Sequence, residues 1–196
     1  MSELAASEIW IDESARTSVA GIVYVVAGVR MLAGGSNMRR LHELLLPGQR
    51  YLHWRDESKP RRREIVGVIN ELHLDIYVSH AQGVALRGQE AARRACLGSV
   101  VREAALDDGL LATVSIEGRG PTLDLADRYT VRNESRGVLP GAPPEVAFVS
   151  KTASPLLWIA DAVSSMASAH FADSGGSDFW WRSMQPDRLT IRRVEP

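Results

Sequence analysis

The feature that most constrains this chain is the crowding of two apolar segments near its start, before a regular alternation of helix and strand patterns begins. Glu8 to Glu13 alternates, with Ile9 and Ile11 on one face and Trp10 and Asp12 on the other, which is the period of a strand. Ser14 to Thr17 is polar and reads as a turn; Ser18 to Val29, rich in Val, Ile and Tyr, reads as a second strand. So short a connection makes an antiparallel hairpin the natural pairing.

After a loop at Gly34-Gly35-Ser36-Asn37, in which Ser36 or Asn37 can act as a cap, a short helix carries Met38, Leu41, Leu44 and Leu45. Tyr51 to Arg55 reads as a third strand. Ser58-Lys59-Pro60 opens a helix whose apolar face is Ile65, Val68, Ile69 and Leu72. Leu74 to Ser79 is a fourth strand. Gln89 to Leu106 is a long helix with Ala92, Ala95, Cys96, Val100 and Ala104 inward, and Leu111 to Glu117 a fifth strand. Thr122 can cap a short segment through Arg128, and residues 132–144, with Asn, Ser, Gly and Pro, mark a loop. A strand at Glu145 to Val149 and a helix at Pro155 to Phe171 follow. Residues 173–178 are a Gly/Ser loop, and the remainder reads as a polar tail. An antiparallel start followed by helix–strand alternation implies an α/β fold: a mixed sheet with helices on both faces, in the ribonuclease H-like order apart from an added helix and a late strand. The 196 residues fit a single domain over 1–196, with its core at about 8–171 and a polar C-terminal tail.

The formal charge of −1 excludes a uniformly basic nucleic-acid binder, but of 23 basic residues all except Lys59 and Lys151 are Arg. Arg can grip phosphate with two parallel hydrogen bonds; a coding bias is the plainer source of the excess. The single cysteine, Cys96, precludes an internal disulfide and a cysteine-rich zinc site. The N-terminus is acidic and polar, unlike a signal peptide, and the longest apolar stretch, Val19 to Val29, is too short to span a membrane. A cytoplasmic protein is therefore expected. There is no Gly-Lys-Ser/Thr phosphate loop and no dinucleotide glycine fingerprint.

Three acids stand where acids are unexpected. Asp12 and Glu117 end apolar strands, and Asp161 lies within the apolar run Leu156 to Val163, too far from the helix start to serve as a cap. A buried carboxylate needs a partner. The alternative is a solvated polar stripe of Asp161 with Ser164, Ser165 and Ser168. Were the first and fifth strands parallel neighbours, Asp12 and Glu117 would emerge at one edge, and the last helix could bring Asp161 to the same point. Three like charges so placed require cations, and oxygen ligands select Mg²⁺ or Mn²⁺. Two such ions would activate a water and stabilise the leaving oxygen of a phosphodiester.

These residues resemble a known family. Ile9-Trp10-Ile11-Asp12-Glu13-Ser14, Ser115-Ile116-Glu117, and Ser150-Lys151 with Pro155-Leu156-Leu157-Trp158-Ile159-Ala160-Asp161-Ala162 are similar to the opening, late strand and closing helix of bacterial proteins with the domain of unknown function numbered 3800. The resemblance spans about residues 8 to 170. It implies a ribonuclease H-like fold and metal ligation by Asp12, Glu117 and Asp161. Two departures are Ala15, where the family usually has Gly, and Glu117, where it more often has Asp.

Other residues fit a nuclease. Lys151, near the last helix, could steady a phosphate or a hydroxide. Lys59, Arg61, Arg62 and Arg63 form the densest basic run, which either grips a DNA or RNA backbone or is the solvated first turn of a helix. Arg119 could extend that surface, as could Arg93 with Arg94. His53 borders the expected site, and Glu13 points to the opposite side of the strand, either as an alternative ligand or, more simply, as a solvated acid. The competing class is a non-catalytic module on the same scaffold, a homodimer or a subunit of a defence or mobile-element complex, with Trp180-Trp181 as its contact surface.

Overall fold

The computed structural model describes residues 7–32, 38–109, 111–172 and 178–195. The capping residues expected at Ser36 and Asn37, and residues 173–177 of the Gly/Ser loop, lie outside them. Six strands form one sheet: β1 (Ser7–Ser18), β2 (Gly21–Met31), β3 (Leu74–Val84), β4 (Leu111–Glu117), β5 (Glu145–Val149) and β6 (Arg188–Arg193). Their spatial order is β5-β4-β1-β2-β3-β6. β2 runs antiparallel to both neighbours, whereas the β1–β4, β4–β5 and β3–β6 pairs are parallel. The sheet is mixed, with helices on both faces, the α/β architecture the sequence implied.

β2 explains the centre of the sheet. Its odd positions Val23, Val25, Ala27 and Val29 feed one core, and Tyr24 and Val26 feed the other. A strand buried on both faces reads as an unbroken apolar run. Gly28 is required for closeness: a β-carbon there would lie 2.5 Å from Ile9 Cδ1 and 2.7 Å from Val100 Cγ1.

One face is covered by α3 (Gln89–Asp108), which ends on Gly109 in the left-handed conformation, and by α4 (Pro121–Arg136). The other face carries α5 (Pro155–Phe171), with Pro155 in its first turn and the Ser154 hydroxyl accepting the Leu156 N–H at 3.2 Å. Outside α5 lie α1 (Arg39–Glu43), a 3-10 turn at Trp54–Asp56, α2 (Lys59–Asn70) and α6 (Asp178–Arg182). Sandwiched between sheet and outer layer, α5 is buried from Leu156 to Ala169, which is why it is apolar all round.

Several expectations are corrected. The polar stretch Ser14–Thr17 is no turn: it continues β1, and the hairpin turns at Val19-Ala20. Ser14 is accommodated because its hydroxyl bonds Ser168 on α5 at 2.9 Å. Tyr51–Arg55 is not a strand but leads into the 3-10 turn, where the Trp54 N–H bonds a side chain rather than a neighbouring strand. The segment expected to stop at Arg128 continues to Arg136, its inner face held by Asp127, Val131 and Ser135. The expected tail includes β6, paired with β3 from Asp75↔Arg188 to His80↔Arg193. Among the described residues, no helix is long and apolar enough to cross a membrane.

Candidate metal centre

β1 and β4 are parallel neighbours whose last registered pair is Ile11↔Ile116, so the next residue of each strand, Asp12 and Glu117, lies side by side. Asp12 is not at a strand end. It sits mid-strand, and β4 stops beside it while β1 runs on to Ser18. Alternation puts Asp12, like Ser14, on the α5 face, and Asp161 descends from α5 to meet it. The solvated-stripe alternative for Asp161 is excluded: it is 4% exposed, and Ser164, Ser165 and Ser168 are buried with it.

Lys151 ties the three acids together. Its Nζ lies 3.3 Å from Asp12 Oδ2 and 3.5 Å from Glu117 Oε2, and it donates to Asp161 Oδ1 at 3.2 Å. The Trp158 indole N–H donates to the Lys151 carbonyl at 2.6 Å, pinning the loop after β5 against α5. Asp161 Oδ2 accepts the Trp54 N–H at 2.8 Å, and His53 Nε2 lies 3.8 Å from Asp161 Oδ1. His53 thus borders the cluster, as its place in the sequence suggested.

Asp12 is the least satisfied member. Its Oδ1 accepts the Glu13 N–H at 2.7 Å, but its buried Oδ2 has no hydrogen-bond partner. Burial pushes the Asp12 carboxyl up to about 8, against the pull of Lys151 and with help from Asp161, Glu13 and Glu117. Burial pulls the Lys151 ammonium down, but Asp12, Asp161 and Glu117 outweigh it and hold the group above its ordinary value.

The donor set is all oxygen, which suits Mg²⁺ or Mn²⁺, and the orphaned Asp12 Oδ2 is aimed at a position that positive charge already occupies. The spacing is that of an ammonium clamp. Mg²⁺ requires oxygens at about 2.0–2.1 Å, so the carboxylates must contract and Lys151 must withdraw before an ion can sit between them. Accordingly, among the described residues no three His, Cys, Asp or Glu side chains form a ready metal shell.

The expected phosphate grip is dispersed. Arg61 pairs with Glu64 at 2.6 Å and Glu57 at 3.5 Å and also contacts the Leu44 carbonyl. Arg62 donates to the carbonyls of Trp54 and Arg55, each at 3.1 Å, and lies over the Trp54 ring. Lys59 and Arg63 are exposed. Arg119 is drawn to the opposite face, where it donates to Glu90 at 2.8 Å and Asp127 at 3.3 Å. There Arg93 makes a forked bond to Asp127, at 3.1 and 2.8 Å, and an ion pair with Glu13. Arg93 is therefore buried rather than part of a basic surface, and Glu13 is paired rather than solvated. Trp181 is buried as well, which removes it from any contact surface.

No protein-family model and no curated protein matches the chain. The three motifs resembling the family with the domain numbered 3800 thus gain no support from a family model. Among solved structures, the chain is similar to ribonuclease H2 from Pyrococcus horikoshii OT3, at 11% identity and a TM-score of 0.48, covering 87% of this chain and 80% of that one.

Proposed function

We propose that this chain is a divalent-metal-dependent nuclease that cleaves phosphodiester bonds of DNA or RNA, with Asp12, Glu117 and Asp161 as metal ligands. The observation that carries the reading is their convergence from β1, β4 and α5 on one ammonium, with a buried carboxylate oxygen left without a hydrogen bond. Three acids against one amine leave excess negative charge in a buried place, which is costly as a purely structural device. Bound there, Mg²⁺ or Mn²⁺ would polarise a phosphoryl oxygen and lower the pKa of a water.

The protein's own groups supply the rest. The Trp54 N–H holds the Asp161 carboxylate in place, and the Glu13 N–H holds Asp12. Lys151, displaced from the clamp, stays within reach of the centre as a counter-charge for the phosphate. Convergence on one point supports one ion position built by the protein; a second ion would take phosphate oxygens among its ligands. The second reading, a non-catalytic module, is favoured by one observation: Lys151 already pairs with all three acids.

The two readings separate in one experiment. With Mn²⁺, wild-type protein is expected to cleave a mixed panel of single- and double-stranded DNA and RNA, and Asp12→Asn to lose that cleavage by 100-fold or more, about what one transition-state contact supplies. Equal cleavage in EDTA, or by Asp12→Asn, would refute the nuclease.

A further inference from the structure

Beside the carboxylates a cavity opens between the far end of β1, α5 and the 54–62 segment. It is lined by Ser14 and Arg16 of β1, Trp54, Arg55 and Arg62, and Trp180 of α6. It adjoins the metal centre through two connections. Ser14 lies two residues beyond Asp12 on the same strand face, and Trp54 donates its N–H to Asp161. β4 ends at Glu117, so the part of β1 that carries Arg16 extends beyond it.

The charge pattern is the informative part. Arg16, Arg55 and Arg62 pair with no carboxylate among the described residues. Arg62 bonds only backbone carbonyls and lies 5.1 Å over the Trp54 ring. Several arginines elsewhere are neutralised, as Arg30 is by Asp75, Arg93 by Asp127, Arg119 by Glu90 and Arg192 by Glu103; others pair with no carboxylate among the described residues, but none of those lines this cavity, where three converge. Three uncompensated guanidiniums in one cavity form an anion site, and they sit next to a cluster of opposite sign. An acidic centre with adjacent arginines matches a chain of phosphates, one at the metal and the next on the guanidiniums. The indoles narrow the ligand further. Trp180 is half-buried and packs edge-on against Trp54, with ring centres 6.1 Å apart, so the cavity combines aromatic wall with positive charge. That combination suits an unpaired nucleotide, whose base has a face available for stacking; a base within a duplex has none.

We infer that this cavity binds the nucleotide adjoining the cleaved phosphodiester. Its phosphate rests on Arg16, Arg55 and Arg62, its base lies against Trp180, and the substrate is single-stranded at that point. The identity of the neighbouring bond rests on the nuclease reading; the cavity's affinity for an unpaired nucleotide does not.

The test is fluorescence anisotropy in EDTA, where no cleavage intervenes, with labelled ten-nucleotide oligo-dT and oligo-U and a blunt ten-base-pair duplex, each titrated at several salt concentrations. Wild-type protein is expected to bind one or both single strands at least about 10-fold more tightly than the duplex. The double variant Arg16→Ala/Arg55→Ala, changed only at exposed side chains, is expected to lose about 10-fold in single-strand affinity and to flatten the salt dependence by about 0.7 per phosphate contact removed. Trp180→Ala is expected to weaken binding by about 10-fold and Trp180→Phe to keep most of it, since a phenyl ring still stacks. No binding to either single strand, equal binding of the duplex, or unchanged affinity and salt slope in the double arginine variant would overturn the assignment. Mn²⁺-dependent cleavage by wild type and Asp12→Asn is measured separately. Cleavage that survives Asp12→Asn, with binding lost in the arginine variant, would sink the metal centre and leave the cavity standing. Cleavage that requires Asp12, with binding unaffected by the arginine changes, would sink the cavity alone.

Discussion

Asp12 and Glu13 are neighbours on one strand, yet they enter two different kinds of buried charge cluster. On the Glu13 face, two guanidiniums meet Glu13, Asp127 and Glu90, and the principal contacts are forked: Arg93 to Asp127, and Arg119 to Glu90 at 2.8 and 3.2 Å. On the Asp12 face, three carboxylates share one flexible ammonium at 3.2 to 3.5 Å, and Asp12 keeps an unbonded oxygen. The first cluster is held by forked, directional bonds, with Arg93 Nη1 and Arg119 Nε left without a hydrogen bond, as expected of a device that locks α3 and α4 to the sheet. The second is short of positive charge and held by a group that can swing away. A cluster in which three carboxylates share one mobile ammonium is poised for a ligand; one fixed by forked guanidinium bonds is not.

Breaking the forked cluster should cost most. Arg93→Met leaves the buried Asp127 and the half-buried Glu13 with only Arg119 beside them, so stability should fall by about 3 kcal/mol in urea denaturation. Mn²⁺ should not restore it. A loss below about 1 kcal/mol, or recovery with metal, would erase the distinction between the two faces.

Breaking the other cluster should cost less and be reversible. Lys151→Met removes the only amine among three acids, but Lys151 is partly exposed and the site can admit water. A loss of about 2 kcal/mol in EDTA is expected. Mn²⁺ at a hundredfold excess over its Kd should return about 2.7 kcal/mol, because the ion then binds only the folded state and meets no competing ammonium. The metal-induced rise in Tm should be larger in this variant than in wild type. An equal or smaller rise would show that Lys151 does not stand in the cation's place.

The pH dependence sharpens the same contrast. In the folded protein the Asp12 carboxyl titrates near 8, against an ordinary value of 3.8. A group raised in this way favours the fold fully below the lower value, and its contribution is lost as pH climbs to the upper one. Asn carries no such titration. Metal-free wild type should therefore lose stability relative to Asp12→Asn between about pH 4 and 8, by about 1–2 kcal/mol once relaxation and solvent entry are allowed for. Parallel pH profiles for the two proteins, measured by urea denaturation in EDTA, would mean that Asp12 is already ionised and compensated.

The carboxylate trio was legible in the sequence because burial of an acid contradicts its surroundings: Asp161 lies amid Leu, Ile, Trp and Ala. The alternation in β1 likewise placed Asp12 and Glu13 on opposite faces. What it could not show was that Glu13 would be half-buried and paired, since its partner Arg93 comes from a helix far along the chain. A signal was present: position 93 lies three and seven residues before Cys96 and Val100, on the inward stripe of α3, and an Arg there calls for a buried acid. Reading Arg93 with Arg94 as a surface pair overlooked that spacing. The 3-10 turn at Trp54–Asp56 was hidden for a different reason. Its backbone is satisfied by Asp161 from 107 residues away, and local pattern reading cannot see so distant an acceptor. Arg119 was misplaced because Gly118 and Gly120 leave its direction undetermined until Glu90 and Asp127 draw it to the far face.

The smallest effect concerns the contact that carries β1 past its polar residues. Ser168 donates to the Ser165 carbonyl at 3.0 Å, which uses its one hydroxyl hydrogen. In the 2.9 Å contact with Ser14, Ser168 must therefore be the acceptor and Ser14 the donor. The two single deletions are consequently unequal. Ser168→Ala leaves a donor on Ser14, which is 7% exposed, with no acceptor, and should cost about 1 kcal/mol. Ser14→Ala leaves only a spare lone pair on Ser168, whose own hydrogen is still bonded, and should cost about half as much. Removing both hydroxyls should cost no more than Ser168→Ala alone, because the stranded donor is then gone. A double-mutant cycle in which the two losses simply add would show that the hydroxyls do not share this bond, and that Ser14 instead finds its partner in the water of the cavity it lines.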